Sequence, residues 1–143
     1  MTNEEIEQVK SLALAFRAAI EQCRPRLGYV ALKHFPHGSC SDTSDLLGRF
    51  LQANGFPGWT VVSGHRNKWT HAWLERDGVC VDITADQFED SPGAVVVALG
   101  PAWHRQFTVD SRRPVGQTCP MPEFALQIEQ SYRLIVNELE RDE

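Results

Sequence analysis

The chain has 143 residues and a formal charge of −5 at pH 7, with 42% hydrophobic and 23% charged residues. That is enough for one domain with a real core and no covalent staples. The acidic balance leaves no basic surplus to displace counterions, which argues against a general nucleic-acid binder.

No stretch approaches the roughly 20 apolar residues of a membrane span. Met1-Thr2-Asn3-Glu4-Glu5 lacks the basic start and apolar run of a secretory signal, so we expect a cytosolic protein, with signal-free secretion as an effector left open. The four cysteines, Cys23, Cys40, Cys80 and Cys119, have wide and irregular spacing and form no CxxC pair. Free thiols are expected in a reducing compartment, with no zinc ribbon or redox motif.

Thr2 and Glu5 read as a capping box. Ile6, Val9, Ala13, Phe16 and Ile20 then form a helical stripe that Pro25 ends. This helix is expected to pack and to carry no chemistry. No element is assigned to residues 27–35. His34 to Gly38 reads as a loop into a helix that starts near Cys40 and runs to about Asn54, with Gly55 suited to a left-handed cap.

Trp59 to Gly64 reads as a strand, and Thr70 to Arg76 as a second. Asp77-Gly78 is a two-residue hairpin signal, and Val79 to Ile83 returns as a third strand. Ala94 to Leu99 is a continuous apolar run, expected to be a strand buried on both faces. One more strand is expected at Gln106 to Val109. A last helix should bury Ile128, Tyr132, Ile135 and Leu139 on one face.

Three residue types in this order carry chemistry. Cys40 stands at a helix N-terminus, where outward N–H groups and the helix dipole ease formation of a thiolate. Asp42 and Asp45 suit the dipole but oppose the thiolate, and sequence does not sign the sum. The Asp77-Gly78 turn sets Arg76 opposite Val79, Leu74 opposite Val81, Trp73 opposite Asp82 and His71 opposite Thr84. One face then carries His71, Trp73 and Glu75 beside Cys80, Asp82 and Thr84; the other carries Ala72, Leu74, Val81 and Ile83. A slip of one residue would separate His71 from Asp82. The assignment is Cys40 as nucleophile, His71 as its base and then as acid to the leaving group, and Asp82 as the group that orients the imidazole. The Cys40 backbone N–H is the first expected oxyanion donor, with His34 or His37 as a second.

Other features have plain readings. Cys23, Cys80 and Cys119 are expected in the core or incidental, with a supporting role beside the site left open for Cys80, which shares its face. Trp69 and Trp73 are either an acceptor wall or packing, and Glu75 a solvated charge. Thr84, Asp86 and Gln87 order the loop after Asp82 or, with Phe88, form a rim. The spacing His34-x-x-His37-x-x-Cys40 suits zinc ligands, but a metal would leave His71 and Asp82 without a purpose, so neither metal nor cofactor is expected.

Gly38-x-Cys40, a helix ending in Asn54-Gly55, Thr70-His71-Ala72-Trp73-Leu74-Glu75 and Val81-Asp82-Ile83-Thr84 together resemble the transglutaminase-like core of the papain-like superfamily. The resemblance covers about residues 38–88. It implies an α+β fold with a cysteine helix packed on an antiparallel sheet, flanked by N- and C-terminal helices, and a Cys40-His71-Asp82 triad. Members include peptidases, protein-glutamine transglutaminases, deamidases and non-catalytic relatives. We expect a single domain over 1–143 that attacks an amide of a protein or peptide substrate through a thioester, with water as acceptor. The alternatives are transfer to an amine, a binding module that has lost turnover, and a delivered toxin. The sequence carries no signal for an oligomeric state.

Overall fold

In a computed structural model, residues 1–116 and 122–141 are described. Helix α1 spans Asn3–Cys23, and the Thr2–Glu5 capping box forms at its start, with the Thr2 hydroxyl accepting from the Glu5 amide and the Glu5 carboxylate accepting from the Thr2 amide. Two short 3-10 turns follow, Arg24–Arg26 and Val30–Leu32, the second within the stretch left unassigned from sequence. Helix α2 spans Cys40–Ala53, and Gly55 takes the left-handed conformation just past its end (φ 93°).

Strands β1 (Thr60–Arg66), β2 (Trp69–Arg76), β3 (Val79–Asp82), β4 (Val96–Leu99) and β5 (Thr108–Pro114) form one sheet in the order β4-β3-β2-β1-β5. All four pairings are antiparallel. Helix α3 spans Pro122–Arg141. The class is therefore α+β, with two helices before the five strands and one after them.

Asp77 and Gly78 both have positive φ (51° and 78°), as a two-residue hairpin turn matching strand twist requires. Arg76, Glu75 and Leu74 pair with Val79, Cys80 and Val81, the register set by the turn. The ladder ends there, and the Thr84 amide turns back to the Asp82 carboxylate instead of facing His71.

The alternation divides the sheet as expected. Ala72, Leu74, Val81 and Ile83 join the main core with Phe16, Ile20, Leu47, Leu51, Tyr132 and Ile135 from the three helices. Trp73 and Cys80 lie on the other face in a second, aromatic core with Val62, Trp103 and Phe107. Two strand readings need correction. The 94–99 run is not buried on both faces: it forms an edge strand with Leu99 exposed, because only β3 pairs with it. The last strand starts at Thr108 and reaches Pro114, with a 3-10 turn at His104–Gln106 before it.

Candidate active site

Cys40 is the first residue of α2 and is half-buried. Ser39 precedes it without a side-chain cap on the helix, its hydroxyl donating to the Pro36 carbonyl, so no cap covers the first-turn amides. The two carboxylates nearby are engaged. Asp45 takes a bidentate ion pair from Arg113 on β5, which also reaches the Ser41 hydroxyl at 3.0 Å. Asp42 accepts from the Tyr29 hydroxyl at 2.8 Å. The charge that sequence left unsigned beside the thiol is thus offset by a cation from the far edge of the sheet.

His71 is fully buried on β2. Its Nε2 lies 2.6 Å from Asp82 Oδ2, and the two groups sit on one face as the hairpin register requires. The Cys40 thiol lies beside the same ring, close enough to help hold its proton. Burial alone would push the imidazolium down; hydrogen bonds and charge from Asp82 and then Cys40 override it, and the His71 pKa rises to about 9.

Asp82 is buried and has every acceptor position occupied. Oδ1 takes the Thr84 amide (2.9 Å) and hydroxyl (3.3 Å); Oδ2 takes His71 and a second imidazole, His104 Nε2, at 2.7 Å. Burial would push this carboxyl up, but the bonds from His104 and His71 hold it well below the ordinary range. His104 is 4% exposed, and its Nδ1 has no partner among the described residues.

Gln87 completes the ring of contacts. Its Nε2 lies 2.9 Å from His71 Nδ1. The direction of this contact follows the proton: Nδ1 accepts from the Gln87 amide when the ring is neutral with its Nε2–H donated to Asp82, and donates to the carboxamide oxygen when the ring is an imidazolium. The backbone of this stretch is held by Arg17 of α1, which forms a bidentate pair with Asp86 (both bonds 2.7 Å) and also donates to the Ile83 and Ala94 carbonyls. Helix α1, expected only to pack, therefore fixes the loop that follows Asp82.

Trp73, Phe88, Trp103 and Phe107 surround the imidazole, with ring centroids 5.1–5.9 Å from it. They exclude water and strengthen the electrostatics of the His71–Asp82 pair. An open cleft of about 590 Å³ approaches the site between His37 and Gly38 on one side and Trp69, Thr70, Gln87 and Phe88 on the other.

The structure thus brings Cys40, His71 and Asp82 together. Of the remaining residues singled out in the sequence, Trp69 and His37 line the cleft, whereas Trp73 packs on His71. Glu75 is not simply solvated: it accepts from Trp73 Nε1 at 3.1 Å. Cys80 is buried on the His71 face, its thiol pushed well up by burial and by Asp82. Burial also pushes Cys23 up, and Cys119 lies outside the described residues.

Among the described residues, the His34–His37–Cys40 spacing forms no metal cluster; the one grouping with ligand atoms close together is His71, Asp82 and His104. Its 2.6 and 2.7 Å N–O separations are those of hydrogen bonds. Ligands about 2.0–2.2 Å from a shared zinc would stand farther apart.

Sequence reasoning missed His104, which sits in an irregular segment with no periodicity, and Arg17, which falls within a helix whose stripe already explained it. No helix among the described residues is long and apolar enough to cross a membrane. Comparison with protein-family models, curated proteins and solved structures finds no match.

Proposed function

We propose that this chain is a cysteine-dependent acyl-transfer enzyme with the transglutaminase-like arrangement of the papain-like fold, acting hydrolytically on an amide of a protein or peptide. The observation that carries the reading is the continuous chain of contacts from Asp82 through His71 to Cys40. In it, a buried carboxylate holds His71 Nε2, and the Cys40 thiol lies beside the same ring.

The steps balance on these groups. Cys40 Sγ gives its proton to His71 Nδ1 and attacks the carbonyl carbon, whose π pair moves to oxygen. The uncapped first-turn amide of Cys40 faces that charge. Collapse breaks the C–N bond, and the Nδ1 proton leaves with the amine or ammonia. Water, deprotonated by His71, then cleaves the thioester. A cytosolic setting would keep this thiol reduced.

The test is the rate of Cys40 alkylation by iodoacetamide between about pH 4 and 9, the range spanning paired and free thiols, read by peptide mass spectrometry. The wild type is expected to react well below neutral pH and to show a second step near pH 9, where His71 loses its proton. In His71→Ala the low-pH rate should vanish, and in Asp82→Asn it should fall at least tenfold. A rate that rises only near pH 8.5, as for a free thiol, and ignores both substitutions would make the chain a binding module instead.

A further inference from the structure

Most of the ring cage around His71 comes from two irregular segments. Phe88 belongs to the loop after Asp82, and Trp103 and Phe107 flank the turn before β5. A side chain from a third place joins them. Arg66 is the last residue of β1, one position beyond the His65–Thr108 pair at the end of the β1–β5 ladder. Strand alternation puts it on the face of Val62, which belongs to the aromatic core. Gly64, between them on that face, carries no side chain, and a Cβ there would meet the Thr108 carbonyl oxygen at 2.6 Å, so β5 runs tight against β1 here.

The Arg66 guanidinium lies 5.6, 5.3 and 5.0 Å from the ring centroids of Phe88, Trp103 and Phe107. Its fork donates to both Asp90 carboxylate oxygens, at 2.8 and 3.0 Å, and to Gln106 Oε1 at 2.9 Å. Asp90 follows Phe88 in the loop, and Gln106 precedes Phe107 in the turn, so one planar cation holds both segments. An ion pair to a carboxylate as exposed as Asp90 would contribute little alone. Here the fork and the ring contacts act together, which a guanidinium can do and a point charge cannot.

Resting on the triad reading above, we propose that Arg66 is a positioning residue: it fastens the Phe88 loop to the Trp103–Phe107 turn and so keeps water from the His71–Asp82 pair on which activation of the thiol depends. The titratable groups around His71 are Asp82 and Cys80 on β3, Cys40 on α2 and His104 on the turn. The Arg66 charge is balanced by Asp90. Within the cage, Asp82 and Cys40 outweigh burial and hold His71 at about 9. As water enters, both opposing influences fade, and the ring relaxes toward its ordinary value of about 6.5.

The experiment follows the His71 Cε1–H signal of the full chain by NMR, both its titration and its exchange with deuterium. Arg66→Met keeps the apolar stem and removes the fork. His71 should then titrate at least about one unit below the wild type, and Cε1 exchange should quicken at matched protonation. The alkaline step of Cys40 alkylation should move down with it. Should this variant fail to fold, Arg66→Lys decides: its ammonium cannot hold Asp90 by two bonds and Gln106 by a third, and the same changes should follow at reduced size.

A variant His71 that still titrates near 9 overturns the proposal, whatever the variant's thermal stability. So does a lowered pKa with unchanged Cε1 exchange, which traces to lost charge and not to water. Either result leaves the triad in place. A wild-type chain without low-pH Cys40 reactivity overturns the triad reading, and the part of Arg66 in activating the thiol with it.

Discussion

Asp82 is the residue on which the buried charge of this protein turns. A carboxylate without solvent is costly unless its lone pairs are met, and here four donors from three residues meet them. Two of these residues, His71 and Thr84, flank it in the hairpin and the loop that follows; the third, His104, arrives from a distant turn. His104 does not reach the cleft, so we treat it as a positioning residue that keeps Asp82 ionised and aimed at His71. His104→Phe keeps a ring among Trp73 and Trp103 but removes the donor. A lost hydrogen bond to a buried charge costs about 1.5–3 kcal/mol, equivalent to about one to two pH units. The acid unfolding midpoint, followed by circular dichroism, should move up by roughly that much. An unchanged midpoint would mean that His71 and Thr84 suffice.

At the scale of elements, the site is made of pieces that local pattern explains and one clamp that it does not. Helix α2 places Cys40 because its apolar face, Leu46, Leu47, Phe50 and Leu51, must bury on the sheet. The hairpin places His71 and Asp82 because two positive-φ residues fix its register. The segment from Ile83 to Ala94 has few apolar anchors of its own and is held by the Arg17 guanidinium. Arg17→Met keeps the apolar stem and removes every one of those bonds. Breaking a buried ion pair costs about 3–5 kcal/mol; with Asp86 31% exposed, a loss of about 2 kcal/mol is expected, seen as a lower unfolding midpoint. Amide exchange across residues 83–94 should quicken, while β1 and β2 keep their protection. Uniform protection would show that the loop holds itself.

For the whole molecule, the buried pair makes stability depend on pH in a stated direction. His71 is raised from its ordinary value to about 9, so its contribution is complete below about pH 6.5 and is lost as pH climbs through 9. Asp82 is lowered, so its contribution is complete above about pH 4 and is lost as pH falls toward its depressed value. Thermal unfolding of the wild type should therefore be most resistant between about pH 4 and 6.5 and should weaken steadily toward pH 9 and beyond. In Asp82→Asn that alkaline decline should flatten, because the imidazolium no longer has an anion to face. A decline of the same size in both proteins would assign it to other groups.

The helices, the hairpin, its register and the common face of His71 and Asp82 are legible in the chain because they follow from short-range rules: a period of 3.6 or 2, a capping box, a turn that needs two positive-φ residues. Cys40 was legible for the same reason, as a thiol at the start of an apolar-periodic segment. Tertiary structure alone decided the rest. His104 comes to Asp82 from a turn 22 residues on, Arg17 to Asp86 from 69 residues away, and Arg113 to Asp45 from 68. None of these has a periodic signature, since a side chain bonding across the fold leaves its neighbours in sequence unconstrained. The edge position of β4 was hidden likewise: an apolar run reports that side chains seek burial, but only the strand order says how many neighbours the strand obtains.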